Sequence, residues 1–223
     1  MNLNYNKILI FDFETNGLNP ISNNIIEIGA ILLEKKNNTY EIKSELNLFI
    51  KQDNPLPSKI VEITNITDEI INEFGVSEDQ AFHEFDNLID DNTLLVAYNL
   101  AFDINFLSSL YQKHVNINYL MPNDILDVMA IYKDRYSFPH RLESALTTFN
   151  IVNERAHRAI DDAKSTYLLL DKLTVEKDNI SKYINVLGYN PRYGIPKVRG
   201  LKQNINFIAQ GMRGQGEIDK KIT

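Results

Sequence analysis

The sequence predicts an α/β or α+β domain built on a mixed sheet, and three observations carry that reading. Three strand-like segments come first in the chain. Strands then alternate with helical patterns. The first strand, ILIFDFET, is apolar enough to be buried on both faces, as a central strand would be.

Residues 7–13 form that first strand. IIEIGAILLE (25–34) and TYEIKSELNLFI (39–50) follow, joined by the polar turn Lys35-Lys36-Asn37-Asn38. This spacing predicts an antiparallel hairpin beside the first strand. After Pro55 and Pro57 the pattern turns helical. Thr67 is placed to cap a helix carrying Ile70, Ile71 and Phe74, closed by Gly75. Ser77 with Gln80 is a capping-box pattern opening a helix over 77–91, with Phe82, Phe85, Leu88 and Ile89 on one stripe. TLLVAYN (93–99) reads as a short strand. AFDINFLSSLYQKH (101–114), DILDVMAIYKDRY (124–136), RLESALTTFN (141–150) and RAIDDAKSTYLLLDKL (158–173) read as helices.

Beyond about residue 175 the periodicity weakens. GYNPRYGIPKVRG (188–200) reads as loop, and GMRGQGEIDKKIT (211–223) as a flexible end. The expected division is a folded domain over 1–175 and a basic tail of uncertain order over 176–223.

The chain has 223 residues, 43% hydrophobic and 24% charged, enough for one sizeable core. It contains no cysteine, which excludes disulfides and zinc–thiolate sites. No apolar run reaches the ~20 residues of a membrane helix, and MNLNYNK lacks the features of a secretory signal. A cytoplasmic setting is the default expectation. The net charge of −7 is unevenly spread: residues 181–223 carry +6 and the rest carries −13. That asymmetry suits an acidic body with a polyanion-compatible tail, and equally a merely solvated basic tail.

Side chains i and i+2 on a strand point the same way, so Asp12 and Glu14 sit side by side at the end of a core strand. Asp103 follows the strand 93–99, and Asp161 and Asp162 open the helix 158–173. If these segments meet, four carboxylates share one small volume. Like charges at that density require a proton or a cation. Oxygen-only ligand sets suit Mg²⁺ or Mn²⁺, and a pair of such ions is the cation set for phosphodiester cleavage. His157, just before Asp162, is the candidate general base. Each acid taken singly has a plainer reading: Asp161 and Asp162 as caps, Asp103 as a first-turn acid favoured by the helix dipole. His83 reads as solvated, His114 as a helix C-terminal residue and His140 as a surface or capping residue.

FDFETNGL, AYNLAFD and HRAIDDA, in that order, resemble the three motifs of the DnaQ-like (DEDDh) 3′–5′ exonucleases. The resemblance spans roughly 7–173 and is nearest to the proofreading exonucleases of bacterial DNA polymerase III, the PolC type and epsilon; IVEITNITDEIINEFGV is similar to a further segment of that group. It implies a ribonuclease H-like fold with a central mixed five-stranded sheet flanked by helices. By motif it implies Asp12, Glu14, Asp103 and Asp162 as ligands for two Mg²⁺ or Mn²⁺ ions, which favours Asp162 over Asp161. It implies His157 as the base. Thr15, Asn16, Gly17 and Leu18 would hold the 3′-terminal nucleotide, and Asn99 and Phe102 would line the substrate groove; the helical spacing of Phe102 reads equally as core packing. Tyr98 departs from the family pattern, in which many members have His.

The implied activity is release of nucleoside 5′-monophosphates from single-stranded DNA 3′ ends in proofreading or repair; a proofreading role would put it beside a separate DNA polymerase, since no polymerase domain fits in 223 residues, and the alternative is action alone in repair or nucleotide recycling. RNA trimming by the same site is the alternative substrate, and a non-catalytic nucleic-acid- or polymerase-binding module the alternative class. In the tail, Tyr189 and Tyr193 interleave with Arg192, Lys197 and Arg199, a pattern that suits base stacking and phosphate contact, or equally a surface hairpin or partner segment.

Overall fold

The computed structural model describes residues 3–37, 39–153, 155–214 and 216–218. The central strand β1 (Lys7–Thr15) pairs antiparallel with β2 (Ile25–Lys36), which pairs antiparallel with β3 (Thr39–Phe49). On its other side β1 runs parallel to β4 (Leu94–Ala97), and β4 runs parallel to β5 (Ile125–Asp127). The result is the expected five-stranded mixed sheet, in the order β3-β2-β1-β4-β5.

Between β3 and β4 lie α1 (Ser58–Thr64), α2 (Asp68–Phe74) and α3 (Glu78–Asp86). Thr67 and Ser77 cap α2 and α3 as their sequence predicts, accepting from the N–H groups of Ile70 and Gln80. The third helix stops short of the expected residue 91, and Phe74 points to solvent. Then come α4 (Leu100–His114), α5 (Val128–Arg135), α6 (Leu142–Thr148) and α7 (Ala159–Glu176).

Strand alternation divides the core. Ile8 and Ile10 of β1, with Ile31 and Leu33 of β2, pack on Leu169, Leu170 and Leu173 of α7. Leu9, Phe11 and Phe13 face the other way, onto Phe85 of α3 and Ile104 and Leu107 of α4. Continuing the first face past Ile10 brings Asp12 and Glu14 to the α7 side at the C-terminal end of β1.

Another segment differs from expectation. The pattern 124–136 predicts one helix, but Ile125–Asp127 is a strand and only Val128–Arg135 is helical. Asp127 makes the switch: its Oδ1 accepts from the Met129 N–H at 3.0 Å as the cap of α5. The chain beyond 175, whose order the sequence leaves open, forms regular elements at 186–189 and 206–209. A 3₁₀ turn (Ile180–Tyr183) leads into β6 (Val186–Tyr189), which pairs in parallel with β7 (Asn206–Ala209). Tyr183, Val186, Ile208 and Ile218 are buried in the α7-side core. Asn185 fastens this unit to the sheet edge, with its N–H on the Ile125 carbonyl at 2.9 Å and its side chain on Asp124 at 2.6 Å. Residues 215 and 219–223 of the expected flexible end, Lys220 and Lys221 among them, lie outside the described residues. Among the described residues no helix is long and apolar enough to cross a membrane.

Candidate active site

The three acid-bearing segments converge at the C-terminal end of β1. Asp12 and Glu14 are half-buried there. Asp103, in the first turn of α4, reaches across the strand end, where its Oδ1 accepts from the Phe13 N–H at 3.1 Å. Asp162, in the first turn of α7, accepts at Oδ1 from Asn153 Nδ2 at 2.6 Å and at Oδ2 from the His157 N–H at 3.1 Å. The neighbouring Asp161 turns away to an ion pair with Arg155 at 2.9 Å, so of the two adjacent acids it is Asp162 that faces inward.

Electrostatics records how close the four groups are. Burial pushes Asp12 well above the usual carboxylate range, and Asp103, Asp162 and Glu14 push it further. Burial, then the charges of Asp162 and Glu27, raise Glu14 from 4.5 to about 8, against a partial offset from Arg158. Asp103 and Asp162 are also raised, chiefly by burial. Such a cluster is short of positive charge. Oxygen donors in that state fit a hard divalent cation. Glu14, Asp162 and the exposed His157 offer ligand atoms that all lie within 4.8 Å of one another. His157 has φ 64, a left-handed conformation that lets its N–H bond Asp162 while its ring stays over the site.

Two residues not singled out in the sequence build the frame under these acids. Glu27 lies directly opposite Glu14 in the β1–β2 ladder and is completely buried. It receives Arg158 Nη2 at 2.9 Å and the Ala159 N–H at 3.0 Å, and so ties the start of α7 to β2. Arg158 also lies over the Phe49 ring, its Cζ 5.0 Å from the centroid. Gly29 is paired with Asp12. A β-carbon there would overlap the backbone of Ala159 and Ile160, so this glycine lets the helix sit directly on the sheet. The one sequence cue to Glu27 was an acid within the apolar run IIEIGAILLE; nothing local identifies its partner.

The segment after Glu14 is a built turn. The β1–β2 register shifts between Glu14 and Thr15, and a bulge at such a point bends a strand. Thr15 Oγ1 donates to the Gly17 carbonyl at 2.6 Å. Asn16 is held by Gln52 at 3.1 Å and by the Asn24 N–H at 2.8 Å, so its side chain supports the loop. A β-carbon on Gly17 would press on Asn23. Leu18 is left 85% exposed at the tip.

Asn99, exposed and at φ 64, begins α4; its N–H donates to Asp127 Oδ1 at 3.0 Å. Phe102 is half-buried against Phe106, with ring centroids 5.0 Å apart. A cleft of about 710 Å³ opens beside the acids, lined by Tyr98, Asn99, Phe138, Arg141, His157 and Asp162 among others. Tyr98 is nearly buried, and its hydroxyl donates to the His140 carbonyl at 2.7 Å, which fixes the wall of that cleft. Of the other imidazoles, His140 lines this same cleft, and His83 and His114 lie outside it. His83 is exposed, His114 stacks on Phe82 and bonds Glu78 at 2.9 Å, and His140 bonds the Tyr136 carbonyl at 3.0 Å.

Comparison with known proteins agrees with this geometry. The exonuclease family model RNase_T matches residues 9–170, and the chain belongs to that family. Among curated relatives, the PolC-type DNA polymerase III of Bacillus subtilis is 32% identical over 96% of this chain, and that of Halalkalibacterium halodurans is 35% identical over 74%. The chain spans only 15% and 11% of the lengths of those two proteins. Among solved structures, the zinc-bound form of Escherichia coli exonuclease I with single-stranded DNA matches with a TM-score of 0.69 at 19% identity, covering 80% of this chain and 42% of that one. The fold is therefore the ribonuclease H-like fold of exonuclease I.

Proposed function

We propose that this chain is a metal-dependent 3′–5′ exonuclease that releases nucleoside 5′-monophosphates from single-stranded DNA ends. The observation that carries the reading is the convergence of Asp12, Glu14, Asp103 and Asp162 with the exposed imidazole of His157 at one end of the sheet. In this reading the four carboxylates hold a pair of Mg²⁺ or Mn²⁺ ions. What such ions supply when bound is activation of water and neutralisation of charge on the phosphodiester.

The chain's own groups do the rest. A ring nitrogen of His157 takes the proton of the attacking water. The new O–P bond forms as the bond from phosphorus to the 3′ oxygen of the preceding nucleotide breaks, leaving a 5′-monophosphate and a shortened strand. Leu18 packs against the terminal base, and the Thr15–Gly17 turn brings backbone close to its sugar. Asn99 and Phe102 line the approach. The PolC relatives support a proofreading role beside a polymerase, and exonuclease I with bound single-stranded DNA supports DNA as substrate.

The test uses 5′-labelled DNA and RNA single strands with Mg²⁺, Mn²⁺ or EDTA. A DNA ladder shortening from the 3′ end, abolished by EDTA, is expected. Faster loss of RNA would transfer the site to RNA trimming, and intact strands in both metals would overturn the nuclease reading.

A further inference from the structure

A second groove, lined by Leu18 and not by His157, runs along α4. Adjoining cavities of about 600 and 300 Å³ share Pro20, Ile21, Ser109, Gln112 and Arg199. One wall is the loop after Leu18 and the other is the outer face of α4. From Asn105 to Lys113 that helix rises about 12 Å, so the groove runs along it from Leu18, in the turn that follows Glu14.

The C-terminal segment completes the wall, and it is strapped down. Asn105 grips it like a strand partner: its Nδ2 donates to the Lys197 carbonyl at 2.8 Å and its Oδ1 accepts from the Arg199 N–H at 3.0 Å. Ser108 Oγ donates to the Arg199 carbonyl at 2.8 Å. Further along, the Met121 N–H donates to the Gly200 carbonyl at 2.7 Å, and the Lys202 N–H returns to the Met121 carbonyl at 2.9 Å. Val198 packs towards the core, which leaves Lys197 and Arg199 on the opposite, solvent side. Both line the smaller cavity beside Leu18.

The charge there is unusual for this molecule. Residues 1–180 carry −13, a surface that repels a polyanion. The acid lining the groove is Glu78, already engaged by Lys113 at 2.6 Å and His114 at 2.9 Å. Among the described residues Lys197 and Arg199 have no acidic partner within ion-pair distance. Two cations are thus held, uncompensated, in a groove that reaches the turn after Glu14.

We propose that this groove, through Lys197 and Arg199, binds the sugar-phosphate backbone of the single strand upstream of its 3′-terminal nucleotide. The inference rests on the nuclease reading and adds to it a binding track, formed by a segment outside the family-matched region, that makes cleavage depend on strand length. The experiment compares the full chain with its Lys197→Gln/Arg199→Gln and Lys197→Arg/Arg199→Lys forms, in Mg²⁺, on a thymidine dinucleotide and on a long oligothymidylate. For the glutamine form, kcat/KM on the long strand should fall about tenfold, through KM, by loss of about 1.4 kcal/mol of binding. The loss on the dinucleotide should be several-fold smaller. The dependence of log KM on log salt should flatten by about 1.4, or about 0.7 per lost phosphate contact. The charge-conserving form should behave as the wild type. Equal loss at both lengths, or no loss at either, overturns the track while leaving the nuclease standing. A wild-type chain that cleaves neither substrate overturns both.

Discussion

His157 is in a left-handed conformation with its N–H bonded to Asp162, and that detail decides which substitution to make there. The left-handed backbone at φ 64 already costs an L side chain about 1–2 kcal/mol, and asparagine, like histidine, adopts it more readily than alanine. His157→Asn should therefore keep the fold and lower turnover roughly 10²–10⁴-fold, the usual effect of losing a general base. Stabilisation by Mn²⁺ in a thermal melt should survive. If it disappears with the imidazole, His157 is a ligand, not the base. Glu27 makes a second residue-level case. Glu27→Ala strands the Arg158 guanidinium and the Ala159 N–H, and breaking a buried pair of this kind costs about 3 kcal/mol; urea unfolding would read it, and an effect near zero would show that Arg158 is satisfied elsewhere. These two residues also mark what sequence discloses. Asp12 and Glu14 were legible because acids on one face of an apolar strand conflict with burial, and His157 because it precedes an acid by a spacing that suits one site. Glu27 obeys the same logic but answers to an arginine 131 residues away, and no local pattern spans that distance.

At the level of elements, the site depends on how closely α7 approaches β2. Gly29 permits that approach, and its pairing with Asp12 places the helix start beside the acids. Gly29→Ala should push α7 outward, destabilise the chain by about 1–3 kcal/mol as overpacking does, and reduce cleavage by more than the unfolded fraction explains. Activity that merely tracks folded protein would show that the acids tolerate the shift. The elements themselves were unequally visible in the sequence. The long hairpin strands and the last helix carry strong periods and fall where expected. A strand as short as β5 is apolar on both faces and merges with the helical pattern after it; only the Asp127 cap divides them. The units β6 and β7 are short strands separated by a glycine- and proline-bearing connection. Their pairing depends on packing against the β5 edge, through Asn185, which periodicity does not register. The departure at Tyr98 likewise took its meaning from the fold: the hydroxyl braces the His140 backbone at the cleft wall.

For the molecule as a whole, the clustered acids trade stability for a site, and pH exposes the trade. Asp12, Asp103 and Asp162 are all raised, and Glu14 rises from 4.5 to about 8. Raised carboxylates hold protons in the folded chain that the unfolded chain has already released. Their contribution to stability is therefore complete below the ordinary carboxylate range and is lost as pH climbs towards about 8. The metal-free protein should melt lower at pH 8 than at pH 5.5. A cation that replaces those protons gains most where they are absent, so Mg²⁺ or Mn²⁺ should raise the melting temperature more at pH 8 than at pH 5.5. At a hundredfold excess over Kd the gain is about 2.7 kcal/mol, or roughly 5–10 °C for a chain of this size. Asp12→Ala separates the two sides of the trade. It should abolish cleavage and most of the metal response, yet melt higher than the metal-free wild type at pH 8, because one buried like charge is gone. Thermal scans of both proteins at the two pH values, with and without metal, check all of this together. A wild-type melting temperature indifferent to metal at pH 8, or an Asp12→Ala form that still responds in full, would mean that the acids do not share a cation.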